Sequence, residues 1–201
     1  MATRRQLTEQ IRFSLDQLRS QNQHHDFEHI ARHIARNRIA ANILPATGPV
    51  AGRGDQGRDA ETFRTYLAEN PLKGSAFAGL AADAPIAFAC TIQQTKLTQK
   101  IQQDVRKITD SGTPVESIHY FTVANIPSGD RHKLQSWARD EFDVHLDIHD
   151  GRYIAEALTE PDLFWIASEY LAVPREMYPQ PRPASRCAIV LSCRHLAPSW
   201  S

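Results

Sequence analysis

No stretch of this chain approaches the roughly 18 consecutive apolar residues that a membrane-spanning helix needs, and its longest apolar runs are strand-sized. The N-terminal MATRRQLTEQ is charged and has no apolar core, so no secretory signal is read there. Cysteine is scarce. Cys90, Cys187 and Cys193 form an odd, sparse set that argues against a disulfide scaffold and for a reducing cytoplasm. Charge of one sign is also lacking, with 23 Lys and Arg against 23 Asp and Glu. That balance excludes wholesale coating of nucleic acid by a basic protein, but not a localised basic site. No internal repeat is visible. What remains, 41% hydrophobic and 23% charged over 201 residues, describes one ordinary globular domain with appendages, neither disordered nor membranous.

The neutral total hides an uneven distribution. Residues 1–139 carry 18 basic and 13 acidic side chains, residues 140–176 carry 2 and 10, and residues 177–201 contribute three arginines. The acidic stretch reads as the solvated outer face of a helix pair. A polyanion is therefore expected to meet the first two-thirds of the chain.

Thr3 and Gln6 make a capping-box pattern followed by Leu7, Ile11, Leu15 and Leu18, which predicts a helix over about 4–20. A second helix follows QNQHH, with Phe27, Ile30 and Ile34 as its stripe and Asp26 near its start. Prolines and glycines across 42–67 forbid a long helix and predict turns joining short strands. IAFACTIQ (86–93) alternates as a strand; Leu97, Ile101, Val105 and Ile108 restore the helical period. A strand over 117–123, a helix capped by Ser128, a strand over 144–149 and one or two helices over 151–172, broken near Pro161, complete the order. The early strands, joined without helices, read as antiparallel, and the later ones as parallel. The expectation is a mixed-sheet α/β domain flanked by helices.

The densest signal is GRGDQGRD, residues 52–59. Its glycines permit a tight turn, and Asp55 and Asp59 bring two carboxylates. Gly52-x-Gly54-x-x-Gly57 matches a dinucleotide fingerprint by letter. The context fails: two prolines break the preceding segment, and Asp55 would set negative charge inside a phosphate loop. Arg53-Gly54-Asp55, an adhesion tripeptide by letter, is read as chance.

Taken together, Phe27-Glu28 on a helix, the glycine-rich turn ending in Asp59, the strand tip Thr91-Ile92-Gln93 and a lysine-bearing helix resemble the PD-(D/E)XK nuclease superfamily. Within it they are most like the type IV restriction (Mrr-like) endonuclease domains. The resemblance covers about residues 25–160. It implies a restriction-endonuclease-like αβββαβ core with a mixed sheet, binding a divalent metal, Mg²⁺ or Mn²⁺, and hydrolysing DNA phosphodiesters. Carried over, Glu28 and Asp59 are metal ligands, Asp59 the principal one, and Thr91 lies where a strand ligand is needed. The Glu-x-Lys motif itself is missing. Thr91 and Gln93 share a face by alternation and stand in its place without charge, while Lys96 or Lys100 on the next helix would replace the lysine.

The chemistry suits those residue types. Mg²⁺ takes hard oxygen ligands, keeps several waters and needs only one or two carboxylates. A lysine near the scissile phosphate stabilises the charge gained in the transition state. Glu61 would share a face with Asp59 on a strand, as a reserve ligand.

Plainer readings stand beside these. Asp55 and Asp59 are common turn residues, Glu28 sits four before Arg32, and Lys100 sits four before Asp104 for an ion pair on the solvent face. His25, His29 and His33, four apart with His24 adjacent, form a stripe that offers a rival zinc chelate but reads better as solvated or phosphate-facing. Trp137, Trp165 and Tyr170 read as core. The missing Glu-x-Lys also fits a catalytically inactive nuclease-fold module that binds nucleic acid or protein.

The organisation read from the sequence is an N-terminal helix (1–24), the nuclease-like domain (25–173) and a proline-rich linker with a short tail (174–201). Domains of the resembled family often precede a nucleotide-binding or helical-repeat region, so the tail is read as what remains of a lost partner domain. A homodimer would let two sites cut opposite strands.

Overall fold

The computed structural model describes residues 2–45, 60–62, 85–110 and 114–179. Among these described residues, six α-helices and five strands follow in the order α1 (Arg4–Ser20), α2 (His24–Arg38), β1 (Ile43–Pro45), β2 (Ala60–Thr62), β3 (Ile86–Thr91), α3 (Leu97–Asp110), β4 (Ser117–Thr122), α4 (Ser128–Phe142), β5 (His145–His149), α5 (Gly151–Ala157) and α6 (Phe164–Tyr170). A 3₁₀ turn, Arg175–Met177, comes after α6.

The capping box at Thr3 is formed. Gln6 N donates to Thr3 Oγ1 at 3.2 Å and Thr3 N to Gln6 Oε1 at 2.8 Å. A 17-residue helix is marginal alone in water. What holds α1 is burial: Leu7, Ile11, Leu15 and Leu18 are all at most 2% exposed, each contributing about 2 kcal/mol. Helix α4 departs from expectation. Ser128 is its first residue and not its cap; the N-cap is Pro127, and no side chain caps the helix.

The five strands form one sheet in sequence order. β2 lies antiparallel between β1 and β3, with Leu44 opposite Glu61 and Ala60 opposite Phe88. β3, β4 and β5 are parallel, in a register that sets Phe88 beside His119 and Phe121 beside His149. Among the described residues, α2 precedes β1, β2 and β3, and α3 and β4 follow them.

Both faces of the parallel strands β3, β4 and β5 are covered. Phe88 and Phe121 join the buried residues of α1, α2, α5 and α6 in one core. Ala87, Ala89, Ile118, Tyr120, Leu146 and Ile148 join those of α3 and α4 in the other. The alternation along β3 thus divides one core from another, and not core from solvent, as a strand buried on both faces requires. Residues up to Tyr178 pack on the first core, where the Tyr178 ring lies 4.7 Å from that of Phe164.

Helix α1 reaches the loops that leave the parallel strands. Arg12 Nη1 donates to Asn125 Oδ1 at 2.5 Å, just after β4. After β3, Gln94 accepts from Arg19 Nη1 at 3.2 Å and donates to Asp16 Oδ1 at 3.4 Å. The carboxyl end of a parallel sheet is where ligands of open α/β folds sit, so α1 forms one wall of that region. Among the described residues no helix is long and apolar enough to cross a membrane.

The acidic stretch is only partly a solvated face. Asp140, Glu141, Glu156, Asp162 and Glu169 are exposed, but Asp150 is 8% exposed and caps α5 by accepting from Tyr153 N at 3.0 Å.

Candidate functional site

Glu28 is half-buried on the first turns of α2, and its carboxylate accepts from His25 Nδ1 at 3.2 Å. Arg32 does not pair with Glu28. Its guanidinium meets His29 instead. His24, His25 and Glu28 each place a ligand atom within 4.8 Å of the others, so this cluster is able to chelate a metal ion. Both imidazoles are exposed, and their ring centroids are 3.9 Å apart.

The histidine stripe is divided by tertiary packing. His29 stacks on Tyr170 at 5.6 Å, while His33 lies edge-on to Trp165 at 4.9 Å and bonds Tyr170 Oη at 3.4 Å. Burial, then Arg32 and Arg36, holds the His33 pKa below its usual value. His29 and His33 are therefore neither fully solvated nor combined with His25 in one chelate. Trp165, at 44% exposed, lies at the surface and not in the core.

The strand tip and the lysines lie at the end of β3 and the start of α3. Thr91, 9% exposed, accepts from Gln93 N through its hydroxyl at 3.2 Å, and Gln93 Nε2 donates to Thr95 O at 2.5 Å. Lys96 is exposed and adopts a left-handed conformation (φ 53°) as the chain turns into α3. Lys100 Nζ donates to Asp104 Oδ1 at 2.8 Å, but the pair is not on a solvent face. Asp104 is 5% exposed, and its other oxygen accepts from the buried Tyr120 at 2.7 Å.

Asp55 and Asp59 lie outside the described residues, and so does the glycine-rich turn. Among the described residues, the structure joins Thr91 to Gln93 and Lys100 to Asp104. Glu28, on the face covered by α1 and α2, has its ion pair with His25 and not with a lysine.

A second polar cluster escaped the sequence reading. On β4 and β5, His119 Nδ1 and His149 Nε2 are hydrogen-bonded at 3.0 Å, and Asp147 lies 3.7 Å from His119 and 3.4 Å from His145. Burial, then His119, lowers the His149 pKa to about 4; burial likewise lowers that of His119 against the pull of Asp147. Each residue is visible in SIHYFT or HLDIH, but their meeting depends on the parallel register.

As a metal site for the described residues, Glu28 offers an accessible carboxylate, and one or two such groups with waters suffice for a hard divalent ion. The two imidazoles beside it are softer donors and suit zinc-like metals better. No family model, curated protein or solved structure matches the chain.

Proposed function

We propose that this chain is a metal-dependent endodeoxyribonuclease domain of the PD-(D/E)XK type, close to the Mrr-like restriction endonuclease domains, acting as a restriction or defence effector module on DNA. The observation that carries the reading is one mixed sheet, antiparallel from β1 to β3 and parallel from β3 to β5, with α2 before it and α3 between β3 and β4. β2 runs antiparallel to β3, so it enters the sheet at the end where β3 leaves it. In the sequence Asp59 directly precedes β2, and Thr91, Gln93, Lys96 and Lys100 follow along the end of β3 and the start of α3.

Glu28 and Asp59 would hold Mg²⁺ or Mn²⁺. When bound, such an ion offsets phosphate charge and lowers the pKa of water. The chain's own part is to orient DNA and supply fixed positive charge: Lys96 is exposed toward solvent, and Lys100 stands one turn further along α3. Gln93 and Thr91 contribute neutral polar groups where related sites carry charge.

One observation favours a second reading, a catalytically inactive nuclease-fold module that binds DNA or a protein. Lys100 is held by a buried carboxylate, and using it for a phosphate would cost that pair. Incubation of supercoiled plasmid with the protein and Mg²⁺ or Mn²⁺ separates the two. The nuclease reading expects nicking by the wild type and about a hundredfold less with Asp59→Ala or Lys100→Ala. Plasmid left intact by a folded wild type in either metal overturns it; retained DNA binding would then support the second reading.

A further inference from the structure

We infer that His24, His25 and Glu28 form a site for a zinc-class transition metal, and that this site competes with a hard divalent ion for the Glu28 carboxylate. The donor set comes first. Two imidazoles and one carboxylate are the ligands that zinc takes in open sites, whereas Mg²⁺ prefers oxygen alone. The spacing also fits. Zinc bonds of 2.0–2.2 Å in a tetrahedron place neighbouring ligand atoms about 3.3 Å apart. His25 Nδ1 and Glu28 Oε2 already stand 3.2 Å apart, and the His24 ligand atom lies within 4.8 Å of both.

The helix places Glu28 beside both histidines, since residues three and four apart on a helix are neighbours. The positive end of the helix dipole opposes a cation here, and Asp26 in the same turn offsets it. Exposure of both rings leaves the remaining coordination position open to water. His29 and His33 take no part, being engaged by Arg32, Tyr170 and Trp165.

The binding half of this inference stands on the cluster alone; the competition half rests on the nuclease reading, in which Glu28 is a metal ligand. Zinc bound at the cluster withdraws that carboxylate, so micromolar Zn²⁺ inhibits Mg²⁺-dependent cleavage.

The experiment titrates Zn²⁺ into the full chain against a chromophoric chelator, for wild type, the His24→Ala/His25→Ala double variant, Glu28→Gln and, as control, His132→Ala on the exposed face of α4. The double variant should bind one zinc at least about tenfold more weakly and Glu28→Gln should also weaken, with His132→Ala unchanged. Thermal melts should be unaffected, since both histidines are exposed. Equal zinc affinity in wild type and a folded double variant overturns the inference. Zinc binding that depends on His24 and His25 supports the site even if the plasmid is never cut, in which case the nuclease reading alone fails. Cleavage inhibited by Zn²⁺ in wild type but not in the double variant supports both; cleavage equally inhibited in the two overturns the competition.

Discussion

Asp104 is shared between two residues: Lys100 Nζ donates to one carboxylate oxygen at 2.8 Å, and Tyr120 Oη donates to the other at 2.7 Å. The lysine is one turn away on the same helix, but the tyrosine comes from β4 beneath it. Asp104 therefore ties the helix to the sheet as well as restraining the lysine. Replacing it with alanine leaves a buried phenol hydroxyl without this acceptor and a half-buried ammonium without its partner. Asp104→Ala should cost about 2–4 kcal/mol, read as a lower urea midpoint at unchanged slope. Tyr120→Phe should cost less, since it removes a neutral donor and leaves Lys100 paired. A loss below half a kilocalorie per mole for Asp104→Ala would show that the network contributes nothing.

His149 makes stability fall in mild acid. Unfolded, its ring takes up a proton below about pH 6.5; folded, burial keeps it neutral down to about 4. Between these values the unfolded state binds more protons, so each unit of falling pH shifts the balance toward unfolding. His119 and His33, also lowered, act in the same direction. Urea denaturation at pH 7.5 and 4.5 should show a loss of about 2–3 kcal/mol attributable to His149. The curve should be flat in this respect above pH 7. His149→Phe keeps an aromatic ring between Phe121 and Tyr153 and should flatten the acid limb. An identical slope in that variant would remove His149 as the cause.

Two glycines at helix starts should respond oppositely to alanine. A Cβ on Gly151 would stand 2.2 Å from Val123 O and 3.2 Å from Arg12 Nη1, where α5 closes on the chain leaving β4. The first of these is backbone, so the strand end or the helix must shift. Gly151→Ala should destabilise by about 2–3 kcal/mol and lower the Tm by several degrees. Nothing lies within 4 Å of a Cβ on Gly129, in the first turn of α4. Gly129→Ala should be neutral or stabilise by up to about 1 kcal/mol. Melting curves of the pair test this, and equal effects of the two would contradict the packing described.

The helices and strands were legible because their causes are local. The Thr3–Gln6 capping box and the spacing of Leu7, Ile11, Leu15 and Leu18 act within a few residues, as do Ile101, Val105 and Ile108 in α3. The parallel half of the sheet also followed from local facts, since the helical connections α3 and α4 return the chain to the same end of the sheet. Ser128 was misread because its capping chemistry and its position in the chain disagree: the turn through Pro127 starts the helix one residue earlier. Glu28 and the lysines could be named as chemically suitable, but not paired.

By itself, then, the sequence determined, among the described residues, which segments are helix or strand, and over the whole chain how charge is apportioned and which residue types are equipped for metal and phosphate chemistry. The tertiary structure decided which of them meet. His25, His29 and His33 are equivalent by spacing, yet α6 packs on the later part of α2 and takes His29 and His33 onto Tyr170 and Trp165, leaving His25 to Glu28 and His24. Lys100 and Asp104 are neighbours by helix geometry, but Tyr120 makes their pair a buried one. His119 and His149 are 30 residues apart and meet only through the register of β4 and β5. The reason is common to all three. Helical and strand periods arise within a few residues, whereas burial and side-chain partnership depend on which other element covers the same face.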